Sequence, residues 1–210
     1  MIISHKHKFV FFANSKCASS TIETILAGYN DDKRITLLDW KNSKRAVWRQ
    51  GRHTRFGREH IIPSKVHYQI EEVLSEYFTF MFCRNPWDWV LSQFCWNFRY
   101  AANRMKVFNK KKFYRIEAFL STSKHSAKYQ SDYLWDRDGK LCIDYIGRFE
   151  NLQEDFNTIC DKIGIPEQEL PHKNKNKHNH YTEYYDDETK EIVAKKYRKD
   201  IEYFGYKFGE

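Results

Sequence analysis

Two short stretches of this 210-residue chain carry residue types that could hold phosphate groups. The first reads Asn14-Ser15-Lys16-Cys17-Ala18-Ser19-Ser20-Thr21 and lies between an aromatic, β-branched run and a segment of helical character. The start of a helix leaves backbone N–H groups unpaired and carries a partial positive charge. Small residues let an anion approach that backbone, and serine or threonine hydroxyls add donors. Lys16 would place a full positive charge at the mouth of such a cradle. The second stretch, Arg84-Asn85-Pro86-Trp87-Asp88-Trp89-Val90-Leu91-Ser92, puts an arginine at the end of an apolar run and a serine two helical turns further on. A guanidinium fork and a hydroxyl make a good receptor for a dianionic phosphate. Each stretch also has a plainer reading. The first is then an ordinary strand-to-helix turn with a surface lysine, and the second an arginine paired with a carboxylate beside a packed serine.

The elements that must position these groups follow from the patterning. The first stretch succeeds Lys8-Phe9-Val10-Phe11-Phe12-Ala13, a run suited to a buried strand. A helix is expected from Thr21, with Ser19 or Ser20 as its N-cap and Gly28 where it ends. Residues 34–40 are a candidate strand. Residues 41–58 differ in kind: Lys41, Lys44, Arg45, Arg49, Arg52, Arg55 and Arg58 stand there with no acid, an exposed basic segment. Residues 64–75 fit a helix with Val66, Ile70, Val73 and Leu74 on one face. The second stretch ends the clearest central strand, 77–84, and opens a helix at Pro86 that runs to about residue 102. A helix over 113–120, a third buried strand over 141–149 and a helix over 150–163, stopped by Gly164 and Pro166, come next. A basic loop over 171–181 and a charged helix over 186–203 complete the chain. Strands alternating with helices point to an α/β layered fold with a mostly parallel sheet, in one domain over residues 1–210. Ligands of such sheets sit outside the carboxyl ends of the strands, and both stretches fall at that edge.

The first stretch lacks the spacing of a Walker A loop. With its lysine ahead of the small residues, it resembles the 5′-phosphosulfate-binding loop of sulfotransferases that use 3′-phosphoadenosine 5′-phosphosulfate (PAPS). That loop is commonly Lys-x-Gly-[ST]-[ST]-[ST], and Ala18 stands here at the glycine. The second stretch resembles the same family's 3′-phosphate motif, often Arg-Asn-Pro-[WY]-[DE]-Arg-x-x-Ser. Arg84, Pro86 and Ser92 match it, and Trp89 stands at the second arginine. Residues 144–152, 170–174 and 200–206 are similar to later segments of bacterial members related to the carbohydrate enzymes. The resemblance implies a P-loop-like three-layer fold, a mostly parallel central sheet flanked by helices. It implies transfer of a sulfuryl group from PAPS to a hydroxyl, with a carbohydrate as the expected acceptor and no metal. Lys16, Cys17, Ala18, Ser19, Ser20 and Thr21 would bind the 5′ end of the donor, with Lys16 also catalytic. Arg84 and Ser92 would bind the 3′-phosphate. The acceptor needs a base; among His53, Glu59, His60 and His67, His60 is favoured, since similar enzymes carry a histidine about this far ahead of the second motif. Lys175, in the run Lys173-Asn174-Lys175-Asn176-Lys177-His178-Asn179-His180, is a further candidate donor contact, against the reading of a solvated basic loop.

The totals bound these readings. A net charge of +8 suits a polyanionic cofactor, acceptor or partner, while 17% aromatic and 41% hydrophobic residues argue against disorder despite 30% charged residues. The five cysteines are scattered with no C-x-x-C pair, so reduced thiols and no zinc site are expected. His172, His178 and His180 have no spacing that fixes a metal geometry. No apolar run of signal-peptide or membrane-span length is present, which makes a cytoplasmic enzyme the default. Trp87, Trp89, Phe94 and Trp96 read as core, with ligand stacking by Trp89 as the alternative. Three rivals stand beside the sulfotransferase. A P-loop nucleotide kinase would need the missing Walker A loop and an acidic strand end for magnesium. A non-catalytic polyanion-binding module would show steep salt dependence and no affinity for the desulfated nucleotide. A degenerate sulfotransferase is prompted by Ala18 and Trp89. Nucleic acid is not an expected partner, and no motif states the acceptor or the oligomeric state.

Overall fold

Alternate side chains of a strand point to opposite faces of a sheet, and here both faces are apolar. The structure, a computed structural model, describes residues 1–31, 62–105, 119–120, 129–171 and 179–210. Four strands form one sheet in the order β1 (Ile2–Ser4), β2 (Phe9–Phe12), β3 (Phe78–Cys83) and β4 (Tyr145–Arg148). β1 pairs antiparallel to β2, while β2–β3 and β3–β4 are parallel. Phe9, Phe11, Phe80 and Phe82 line one face and meet α1 (Ser19–Leu26), α3 (Pro86–Met105), α4 (Leu152–Ile163) and α5 (Asp187–Lys196) through Ile22, Val90, Phe156 and Val193. Val10, Phe12, Met81 and Cys83 line the other and meet α2 (Pro63–Glu76) and α6 (Arg198–Phe204) through Ile70, Val73 and Phe204. Cover on both faces explains why β2 reads as an unbroken apolar run and β3 as one interrupted only by Thr79, whose hydroxyl is bonded to the Cys142 carbonyl and Asp144. Each such side chain contributes about 1.5–3 kcal/mol on burial.

Gly147 shows how tightly the sheet is packed. It pairs with Phe82, and a Cβ built on it would run into that ring. Only glycine fits there.

The structure corrects several boundaries. The edge strand Ile2–Ser4 has no counterpart in the sequence reading. The cap of α1 is Ala18, in the left-handed region at φ 55°, with Ser19 and Ser20 already helical. Gly28 lies inside a 3-10 turn, Ala27–Tyr29, that follows α1. Only the end of the 141–149 run is strand. Pairing with β3 begins where Asp144 N–H bonds the Thr79 carbonyl, whereas Leu141 makes an isolated bridge to Trp135. The C-terminal helix is two, broken at Tyr197 (φ −105°, ψ 24°), and α6 then presents the buried Asp200 to the 130–131 backbone. The candidate strand at 34–40, the basic segment 41–58, most of 113–120 and most of 171–181 lie outside the described residues. So do His53, Glu59, His60 and Lys175, and the side chains of Val66 and His67. Among the described residues no helix is long and apolar enough to cross a membrane.

Candidate active site

β2 and β3 run parallel in register, with Phe12 beside Met81. Neighbouring strands lie about 4.8 Å apart, so the turn leaving β2 and the turn leaving β3 begin side by side. The two touch directly. Arg84 Nη1 donates to the Lys16 carbonyl at 3.1 Å, and the Trp89 indole N–H donates to the Ser15 carbonyl at 2.7 Å.

The first turn has an uncommon backbone. Lys16 and Ala18 have φ of 64° and 55°, and Cys17 between them is negative. Such alternation turns successive N–H groups into an anion-binding concavity. Ser19 and Ser20 come next, and the N–H groups of a first helical turn have no acceptor inside the helix. The Thr21 N–H is used by the Ala18 carbonyl at 2.9 Å. The Lys16 ammonium lies over the Trp96 ring at 4.4 Å. Cys17 is buried, and burial above all, with Cys83 adding to it and Arg84 opposing, pushes its thiol well above the ordinary range. It is therefore a packed thiol, not a nucleophile.

The second turn is organised around Arg84, which is 8% exposed. Its Nε and Nη2 reach Asp88 Oδ2 at 2.8 Å and 2.7 Å, and its plane lies over the Phe149 ring at 3.9 Å. With the bond to Lys16, each terminal nitrogen still holds one N–H for a further acceptor. The plainer reading of this motif therefore holds in part: Arg84 does pair with a carboxylate, and Ser92 is buried. Asp88 and Ser92 are four residues apart on one stripe of α3, which sets the serine one turn beyond Arg84's partner. Asn85 caps α3, with Oδ1 accepting the Trp87 N–H at 3.2 Å, and Pro86 takes the first helical position, where no donor is lost. Asn85 is itself held by Glu150, which accepts its N–H at 2.7 Å, and by the Lys207 carbonyl at 2.9 Å.

Trp89 is core, as its first reading had it. It is 2% exposed and packs edge-on to Tyr197 at 5.3 Å. Where similar enzymes carry an arginine, this chain carries a latch between α3 and the first turn. Gln93, buried on the same stripe of α3 as Trp89 and Trp96, has no partner for either side-chain polar atom among the described residues.

Sequence reasoning missed Gln130 and Asp200. Gln130 Oε1 accepts from the Arg84 N–H at 3.0 Å, Asn14 Nδ2 at 3.1 Å and Cys17 Sγ at 3.4 Å. Its Nε2 donates to the Arg84 carbonyl at 2.8 Å. Asp200 accepts the Gln130 and Ser131 N–H groups at 2.8 Å and 2.9 Å, and burial raises its pKa. Nothing local distinguishes Gln130-Ser131-Asp132 from a surface turn. Asp200 stands in a segment that the family resemblance covers, without a role attached. An open basic cleft of about 590 Å³, bordered by Lys195, Lys196, Lys199 and Tyr203, includes no residue of either motif.

A mostly parallel α/β sheet with two such turns side by side at one edge is a layout suited to ligands that carry phosphate groups. Comparison with known proteins narrows it. Residues 1–207 match the model of the sulfotransferase family, and the chain belongs to that family, whose reaction is transfer of a sulfuryl group. It is also 32% identical, over 98 residues, to an uncharacterized protein of Archaeoglobus fulgidus; the match covers 47% of this chain and 77% of that one. No solved structure matches significantly.

Proposed function

We propose that this protein transfers a sulfuryl group from PAPS to a hydroxyl, with a carbohydrate as acceptor, on a P-loop-like single domain. The observation that carries this reading is the bond from Arg84 Nη1 to the Lys16 carbonyl at 3.1 Å. It supports this reading because the two turns touch, as they would have to if one bisphosphorylated adenosine engaged both.

In this reading the N–H concavity of residues 16–20 and Lys16 hold the 5′ end, and Arg84 with Ser92 holds the 3′-phosphate. The acceptor oxygen attacks sulfur in line. Its new S–O bond forms as the S–O bond to the 5′-phosphate breaks, and the electron pair of that bond leaves on the bridging oxygen. Lys16 and the turn's N–H groups stabilise the charge growing there. His60 takes the acceptor's proton. Arg84 and Ser92 work by positioning, since a donor fixed at its far end reacts from one geometry. The scattered free cysteines support a reducing, cytoplasmic setting.

Calorimetry with 3′-phosphoadenosine 5′-phosphate against ATP tests the donor, followed by an acceptor screen with labelled PAPS. Tight binding of the first ligand over ATP is expected. Lys16→Ala and His60→Ala each cut turnover about a hundredfold or more, whereas Arg84→Ala mainly weakens nucleotide binding. ATP preferred over the bisphosphate, or transfer at wild-type rate in Lys16→Ala, would refute the reading.

A further inference from the structure

We infer that Gln130 is a positioning residue that holds the two anion turns at the spacing of a single bisphosphorylated nucleotide. The inference rests on the donor reading above and adds a residue that neither motif contains. All four contacts of its carboxamide go to the two turns: Asn14 and Cys17 in the first, and both the N–H and the carbonyl of Arg84 in the second. Arg84's backbone is thus gripped at both its polar groups by one planar side chain. Gln130 is fully buried, so it acts through these groups and not on a ligand.

The grip is anchored outside both turns. Asp200 of α6 holds the N–H groups of Gln130 and Ser131, so the carboxamide is tied to a third element. The link at the mouth of the site differs in kind. There the Arg84 guanidinium bonds the Lys16 carbonyl, and that same guanidinium is the group offered to a phosphate. The bond at the mouth can be redirected by a ligand, whereas the buried one stays. A ligand that spans both turns gains from their fixed separation, and a ligand that touches one does not.

The test compares wild type with Gln130→Met, which keeps length and loses every polar contact, and Gln130→Glu, which keeps the accepting oxygen and loses the donor to the Arg84 carbonyl. Calorimetry uses 3′-phosphoadenosine 5′-phosphate, adenosine 3′-monophosphate and adenosine 5′-monophosphate. In Gln130→Met the bisphosphate weakens about ten- to thirtyfold and the monophosphates by less than about twofold. In Gln130→Glu the same split appears at about three- to tenfold, and this variant decides the matter if the first does not fold. An equal loss for all three ligands, or no loss for the bisphosphate, overturns the inference. Hydrogen exchange without nucleotide supplies a second readout. The Arg84 amide, whose acceptor is the Gln130 carboxamide oxygen, exchanges faster in Gln130→Met while those of β3 do not change, and unaltered exchange at Arg84 in that variant also overturns it. If wild type fails to bind the bisphosphate, the donor reading falls by itself, and exchange still decides whether Gln130 holds the turns.

Discussion

Replacing Ala18 by glycine should stabilise the protein, although a glycine in place of an alanine usually does the opposite. Ala18 caps α1 at φ 55°, ψ 15°. In that region an L-residue's Cβ crowds its own backbone, at a cost of about 1–2 kcal/mol that glycine avoids. Against this, glycine makes the unfolded chain more disordered, which costs about 0.4–1 kcal/mol. The strain term is the larger, so Ala18→Gly should gain about 0.5–1 kcal/mol. For a chain of this size that is a rise in Tm of about 1–4 °C. The control is Ala27→Gly. Ala27 is exposed at φ −56°, ψ −33°, a right-handed helical position with no strain to relieve. It should lose about 0.5–1 kcal/mol. Reversible urea unfolding of the three proteins reads both changes. Opposite signs are expected, and a loss at both positions would show that the turn does not hold Ala18 in the glycine region.

Three further outcomes follow from the packing. Gly147→Ala drives a methyl into the buried Phe82 ring and should cost about 1–3 kcal/mol in urea unfolding; a neutral result would mean that β3 and β4 are not in the register described. Trp89→Phe removes the indole donor to the Ser15 carbonyl, leaving it only the weak Cys17 thiol contact at 3.5 Å, at about 1–3 kcal/mol, and Trp89→Arg should be worse, since the charge would replace a ring that is 2% exposed. Wild-type stability in the arginine variant would count against the latch. Asp200 gives a pH dependence: burial raises its folded pKa above the ordinary 3.8, so its contribution is complete below that value and is lost as pH rises through the raised one. As pH rises above about 4, wild type should therefore lose stability relative to Asp200→Asn; a constant difference between the two would refute the raised pKa.

The strands of the core were legible because the sheet is covered on both faces. Phe9–Phe12 and Phe78–Cys83 could not alternate with polar residues, Thr79 apart, and these largely apolar runs mark them as strands. The placement of Lys16 and Arg84 at one edge followed from parallel strands. What was not legible depends on distant partners. Gln130 and Asp200 are polar residues in polar surroundings, buried only because their partners arrive from far along the chain, Asn14 at a separation of 116 residues and Gln130 itself at 70. The break at Tyr197 carries neither glycine nor proline. It arises where a buried ring must meet Trp89, a tertiary demand that no local propensity records. Ile2–Ser4 is three residues long, too short for a periodic signal, and is held as an edge by pairing with β2.

The Asp88 carboxylate on Arg84 bears on what the second turn can select. A lone guanidinium would attract any anion, and the whole chain, at +8, already does so without discrimination. Here the cation is paired with its neighbour at 2.7 Å, and one N–H on each terminal nitrogen is used by neither Asp88 nor Lys16. Such a group recognises shape more than sign: two oxygens at the span of the fork gain a matched pair of bonds, and a single-point anion such as chloride gains little. If this turn holds a phosphate as proposed, its binding should then fall less steeply with salt than binding by an unpaired guanidinium would.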